Sequence, residues 1–174
     1  TRITIAIIIN CGFRACIKSF DSLTVSIITL TGSITGTNNV GGLVGYAVFT
    51  GNTEAMINNC SVEKTTVKAY RDFAGLVGYA KDVTIKNCTL TNLTLEQDLT
   101  HDYKAPNTPT TFGEYIGRSE GGNTIDGKFY AASAAELQAA VNAATGEATI
   151  ILGANITGNV TIVQKPGVKI TVEG

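Results

Sequence analysis

Asp98, His101, Asp102, Tyr103 and Lys104 crowd into one polar stretch just ahead of Pro106 and Pro109. By residue type they are the side chains best equipped for chemistry. His101 with Tyr103 could supply the base that takes a proton beside a sugar carboxylate, as a polysaccharide lyase requires. Asp98 with Asp102 could flank a glycosidic bond as paired carboxylates. A solvated loop has the same composition, and neighbours in sequence rarely converge on one substrate atom. The loop is the preferred reading, which leaves His101, Asp102 and Tyr103 as catalytic candidates within a chain expected to be non-catalytic. The other signatures are missing from the sequence: GxSxG, HExxH, the phosphate-binding P-loop, and GxGxxG opening a helix. Cys11, Cys16, Cys60 and Cys88 form no CxxC pair, and there is a single His. No metal and no cofactor are therefore expected.

Binding needs less than catalysis. Tyr46, Phe49, Tyr70, Tyr79, Tyr103 and Tyr115 are rings on which a sugar or a partner could stack. For Tyr46 and Tyr79 the structural alternative weighs more: they stand at equivalent positions of a repeat and could simply stack on each other.

Composition narrows the partners. The formal net charge is −1 with a pI near 5.8, and no basic stripe appears, so nucleic acid is not an expected ligand. The longest apolar run, Ile5 to Ile9, is too short to cross a bilayer. Charged residues are 16% of the chain, below the roughly 25% of an average soluble domain, while Gly, Thr, Asn, Val and Ile are prominent. β-Branched residues separated by Gly and Asn favour short strands joined by tight turns. No leader and no initiator Met open the sequence, and Ile170 to Gly174 read as a strand in progress; a piece of a longer chain is the expectation.

An internal repeat must position these residues. Val40-Gly41-Gly42-Leu43-Val44-Gly45-Tyr46-Ala47 recurs as Phe73-Ala74-Gly75-Leu76-Val77-Gly78-Tyr79-Ala80, an offset of 33 from residue 40 to 73. Behind it Ile57-Asn58-Asn59-Cys60-Ser61 matches Ile85-Lys86-Asn87-Cys88-Thr89, an offset of 28 from residue 57 to 85. The five-residue difference predicts a loop around Phe49 to Glu54. A degenerate third copy runs from Phe112-Gly113-Glu114-Tyr115-Ile116-Gly117 to Asn123-Thr124-Ile125-Asp126-Gly127, and Ile9-Asn10-Cys11-Gly12 resembles the tail of an earlier one. Between copies, Ser22 to Ile28 and Thr89 to Leu95 alternate at period two, the mark of a strand with one buried face.

Each unit would supply about three short strands and three turns, and stacked units would bury a common core. Leu43 is then expected on Leu76, Val44 on Val77, Tyr46 on Tyr79 and Cys60 on Cys88, with the glycines admitting close backbone approach or positive φ. Asn59 and Asn87 could form an amide ladder; the alternative is N-glycosylation, because Asn59, Asn87 and Asn92 all sit in acceptor patterns. Parallel Cβ directions disfavour a Cys60–Cys88 disulfide, so buried thiols acting as small hydrophobes are expected there. Cys11 and Cys16 are close enough in sequence to pair.

Gly42-Leu43-Val44-Gly45 and Gly75-Leu76-Val77-Gly78, with the Ile-x-Asn-Cys segments behind them, resemble the GLUG repeats of bacterial surface proteins. The likeness covers about residues 22–127; the third copy departs from it, with Glu114-Tyr115 in place of Gly-Leu. Such repeats occur in adhesins and in the non-catalytic regions of immunoglobulin-A-cleaving peptidases, so the resemblance implies an extracellular or cell-surface location and adhesion. It carries over no catalytic residue, and the missing HExxH speaks against peptidase chemistry.

Beyond Tyr130 the pattern changes. Ser133-Ala134-Ala135-Glu136 has the form of a capping box, and Leu137, Ala140, Val141 and Ala144 share one helical face, with Gly146 as C-cap. This predicts a helix over about 133–145, then strands at 148–152, 159–163 and 168–172. From Ala135 to Gly174 the sequence resembles the opening of pectate-lyase-like right-handed β-helices, where a short helix covers the end of the coil. The expected architecture is all-β: a parallel β-helix or solenoid with one short capping helix. It divides at 1–128 and 129–174, as two segments joined by the helix or as one stack with the helix wedged against it. The expected function is binding of a glycan or a partner protein at the cell surface. The alternatives are a structural spacer of a larger surface protein and a carbohydrate-active enzyme.

Overall fold

A computed structural model describes residues 16–18, 23–26, 29–48, 55–100 and 111–174. The described chain is mostly β, with parallel sheets and one short helix. The strands begin with β1 (Cys16–Lys18), β2 (Leu23–Ser26) and β3 (Thr29–Gly41), then β4 (Val44–Val48), β5 (Ala55–Asn58) and β6 (Ser61–Ala74). Next come β7 (Val77–Lys81), β8 (Val83–Lys86), β9 (Thr89–Thr91) and β10 (Thr94–Gln97). After the undescribed 101–110 follow β11 (Phe112–Gly113), β12 (Ile116–Ser119), β13 (Thr124–Ile125) and β14 (Lys128–Ala131). Helix α1 (Ala134–Ala143) leads to β15 (Glu147–Leu152) and β16 (Lys169–Glu173).

The strands form three sheets among the described residues. One has the order β1-β4-β7-β12, all parallel. In the second, β6 pairs in parallel with β3 on one side and with β9, β10 and β11 along the other. The third has the order β2-β5-β8-β13-β14-β15-β16. From β3 to β13 the chain visits the three sheets in a fixed rotation. The repeat offset sets the register: Val40 pairs with Phe73, Val44 with Val77 and Tyr46 with Tyr79, while Ser61 pairs with Thr89. The degenerate copy keeps step, Phe112 with Phe73 and Ile116 with Val77, so Glu114-Tyr115 occupies the Gly75-Leu76 turn. The strands of the second sheet are not short: β3 has 13 residues and β6 has 14. A bulge between Thr31 and Gly32 absorbs Lys64, whose φ of 46° turns the strand without ending it.

The glycines of the repeat act by close approach. A Cβ on Gly42 would fall on the Gly75 carbonyl oxygen, and one on Gly75 would lie 2.7 Å from the Glu114 carbonyl oxygen. Left-handed corners go instead to Asn and Asp, whose short polar side chains tolerate them: Asn39 and Asp72 at one equivalent corner, Asn59 and Asn87 at another. The main core collects Val62, Val67, Phe73, Leu76, Val77, Val83, Ile85 and Ile116, each at most 1% exposed.

At Asp126-Gly127 the chain reverses. Both residues have positive φ, 50° and 78°, and β13 pairs antiparallel with β14. This is a tight hairpin of the kind that Asp-Gly favours. The boundary expected after residue 128 thus falls inside β14, and Tyr130 on that strand still belongs to the main core, donating its hydroxyl to the Ile116 carbonyl at 3.3 Å.

Beyond the hairpin three expectations change. Helix α1 begins after Ser133, whose Oγ accepts from the Glu136 amide, but Glu136 returns its carboxylate to the Ala132 N–H rather than to Ser133. The helix ends with Ala144 as cap, so Gly146 (φ 60°) turns the chain two residues later. Its buried face, Ala140 and Val141, packs with Ala131 and Ile150 in a second, smaller core. It therefore covers β14 and β15. No strand forms at 159–163: the Thr161 amide donates to Gln138 Oε1 at 2.7 Å and its carbonyl accepts from Gln138 Nε2 at 3.0 Å. A helix side chain has taken the backbone groups that a strand neighbour would need.

Candidate functional site

The polar cluster contributes little within the described residues. His101, Asp102, Tyr103 and Lys104 lie outside them, as do Phe49, the loop around it, Cys11 and the Ile9–Gly12 segment. Asp98 is described and buried. Its Oδ1 accepts from the Thr100 amide and hydroxyl at 3.0 and 2.6 Å, and its own amide donates to the Ala69 carbonyl, which makes it the anchor of a local turn. Cys16 is described in its backbone, opposite Tyr46.

The repeat's own side chains are accounted for by packing. Leu43 and Leu76 are buried, and the Leu43 and Val44 amides both donate to the Leu76 carbonyl at 3.0 Å. Cys60 and Cys88 are buried thiols. Cys88 Sγ donates to the Ile57 and Lys86 carbonyls, and its hydrogen bond with Cys60, then burial, push its pKa far up. Such a thiol is unreactive. Asn59 and Asn87 are exposed at their left-handed corners and do not bond to each other as an amide ladder would; Asn87 Nδ2 donates to Asn58 Oδ1 at 3.5 Å, and its amide to Asp126 at 2.7 Å. Tyr70 is half-buried and accepts at its carbonyl from Gln97.

Two features remain, and they meet at Arg118. The first is an aromatic column. Tyr46 and Tyr79 stack with ring centroids 4.6 Å apart and planes 11° from parallel. On the opposite face of Tyr79, one strand further, the Arg118 guanidinium lies 5.3 Å from the ring centroid. Arg118 Nη2 donates to Glu120 Oε1 at 3.0 Å. Burial, then the nearby Glu120 carboxylate, raise the Tyr79 pKa well above the phenolic range. Tyr79 is only 9% exposed, so its ring is spent on its neighbours. Tyr115, half-buried, is likewise raised by burial, then by Glu114.

The second feature is an open groove of about 1050 Å³ running from β11 and β12 to the segment after β15. Its walls carry Phe112, Arg118, Ser119, Ser133 and Asn155. Phe112 stacks on Phe73, centroids 5.5 Å apart and planes 18° from parallel, yet is 58% exposed. One face lies on the core and the other is open. Its strand is held by Thr111, whose hydroxyl donates to the buried Asp72 at 2.6 Å, with Arg71 paired to the same carboxylate. Buried Asn123 fixes β12: its Nδ2 donates to Ser119 Oγ and the Ala80 carbonyl, and its Oδ1 accepts from the Val83 amide.

The lining supplies an aromatic face, a guanidinium, hydroxyls and an amide, but no carboxylate, imidazole or amine side chain. These groups can stack on a ligand and hydrogen-bond to it. Phe112 and Arg118 were not singled out as ligand-binding residues from sequence. The available signal was the alignment of Phe112 with Phe73, which places an aromatic in the last copy. Among the described residues no grouping of His, Cys, Asp or Glu could hold a metal, and no helix is long and apolar enough to cross a membrane. Comparisons with protein-family models, curated proteins and solved structures found no match to this chain.

Proposed function

We propose that this chain is part of a parallel β-solenoid acting as a non-catalytic glycan-binding module on a cell surface. The rotation of β3 to β13 through three sheets, in register at the repeat offsets, supports the solenoid. The GLUG-like repeats support the surface location. The observation that carries the binding reading is Phe112, a ring anchored on one face and 58% exposed on the other, in an open groove beside Arg118. An aromatic ring held from behind and open in front offers a rigid stacking surface to a sugar. Size-exclusion chromatography with a mixed panel of intact polysaccharides and mucin glycans tests it. Co-elution of unshortened glycan is the expected result. Shortened glycan would replace binding with catalysis and turn attention to His101, Asp102 and Tyr103. A structural spacer is the second reading, favoured by the burial of Tyr79 between Tyr46 and Arg118. It predicts no glycan in the protein peak.

A further inference from the structure

We infer that the groove beside Phe112 takes an uncharged pyranose chain, with one sugar stacked on the open face of Phe112 and its neighbour's hydroxyls on Arg118 and Ser119. This rests on the glycan-binding reading and adds the class of glycan. A pyranose presents a face of C–H groups that is flat and apolar, while its rim is all hydroxyl. The Phe112 ring offers a rigid counterpart for the face, held from behind by Phe73 at 5.5 Å.

Charge decides the class. A guanidinium in a groove would ordinarily suggest an anion. Arg118, however, already donates to Glu120 at 3.0 Å, and its plane is fixed over Tyr79 at 5.3 Å. These two contacts orient the guanidinium before any ligand arrives. On the other wall, the amide of Ala132 is already taken by the Glu136 carboxylate at 2.8 Å and offers no donor to an anion. An acidic sugar would have to compete with Glu120 for a guanidinium whose charge is already balanced. A neutral diol can accept from the remaining Arg118 N–H groups and leave the ion pair intact.

The remaining wall agrees with a neutral rim. Ser119 Oγ accepts from Asn123 Nδ2 at 2.8 Å and from the Gly121 amide at 3.4 Å, so its own proton is left to donate outward. Ser133 and Asn155 add short uncharged groups. A preorganised site of this kind loses little on binding and shows little dependence on salt.

Saturation-transfer NMR and calorimetry on the whole chain, using neutral gluco-, manno- and galacto-oligosaccharides beside uronate and sialylated oligosaccharides, test the assignment. Neutral chains are expected to bind, with affinity unchanged between about 0.02 and about 0.5 M salt. Phe112→Ala is expected to weaken binding about tenfold, Phe112→Trp to preserve it, and Arg118→Lys to weaken it several-fold by removing the planar fork. Tighter binding of the acidic sugars, lost as salt rises, would overturn this inference and leave the binding module standing. Neutral binding that survives Phe112→Ala but fails in Tyr46→Ala would overturn it too, by moving the site to the tyrosine column. No binding in either series, with the fold intact by circular dichroism, would remove both readings.

Discussion

Residues 29–125 and residues 128–174 use the same local structure and hold it in register by different means. In the first region every strand meets a neighbour one repeat away, and the same corner chemistry recurs: Asn39 above Asp72, Asn59 above Asn87, Gly42 against Gly75. Backbone meets backbone at each corner, as where the Gly75 amide donates to the Glu114 carbonyl at 2.9 Å. In the second region β15 and β16 are parallel and paired over five positions, but no repeat sets their spacing. The connection between them is held by side chains from α1: Gln138 on Thr161, and Asn142 accepting at its carbonyl from Lys165 Nζ at 2.6 Å. Ile162 and Val163 are left 67% and 69% exposed. Repetition lets a chain define register through backbone contacts, which are short and stiff. Without it, register depends on long side chains that can let go.

Glycine substitution should separate the two regions most sharply. Gly42→Ala places a Cβ on the Gly75 carbonyl, a backbone atom that cannot move alone; destabilisation of about 3 kcal/mol is expected, read as a lower urea midpoint. Gly167→Ala meets no atom and bears only the strain of a φ of 75°, about 1 kcal/mol. Equal losses would erase the distinction. Core truncation asks the same question of side chains. Ile85 and Ile150 are each 0% exposed, one in each core. Ile85→Ala is expected to lose about 4 kcal/mol and Ile150→Ala about 3 kcal/mol, since the smaller core can collapse further into the gap. The reverse order would mean that the second region is the stiffer one.

The legibility of the two regions follows the same line. The offsets of 33 and 28 read from residues 40–47 and 57–61 give the registers seen between β3 and β6, β4 and β7, and β6 and β9. Backbone-determined register is visible in sequence because it needs the same residue at each return. Asp126-Gly127 is an equally visible hairpin signal, but its place at the end of the third copy of the repeat masks the reversal. The strand at 159–163 had the right alternation, but Gln138 captured Thr161, and nothing local to either residue announces a contact 23 positions away. Phe112 was hidden for another reason: its counterparts Val40 and Phe73 are buried, and exposure arises only because no described strand continues the sheet beyond β11.

Tyr130 tests the seam between the regions, being on β14 but packed in the main core. Burial, then the charge of Glu136, push its pKa up to about 12. Below pH 10 the phenol is neutral in both folded and unfolded chains, and its contribution is fully present. As pH rises through the unfolded value towards 12, only the unfolded chain ionises, so stability falls by about 1.4 kcal/mol per pH unit. Tyr79 and Tyr115 are shifted the same way, and Tyr130→Phe isolates this share. The variant should lose about 1 kcal/mol at neutral pH, with the bond to the Ile116 carbonyl, and show a shallower alkaline limb in urea titrations. An unchanged limb would mean that the seam opens before the phenol ionises.

The smallest effect expected is also the most local. Gln138→Ala removes both hydrogen bonds to Thr161, and because they are exposed the combined loss should be about 1 kcal/mol, hardly moving the global transition. Amide exchange is the measurement that resolves it. Protection of the Thr161 amide should disappear, while the amides of Val77 and Gly75, which donate to Tyr115 and Glu114 at 2.9 Å, should keep theirs. If Thr161 stays protected in the variant, some contact other than Gln138 holds the connection. If Val77 loses protection as well, the two regions open together, and side-chain latches on one side of the hairpin sustain the backbone register on the other.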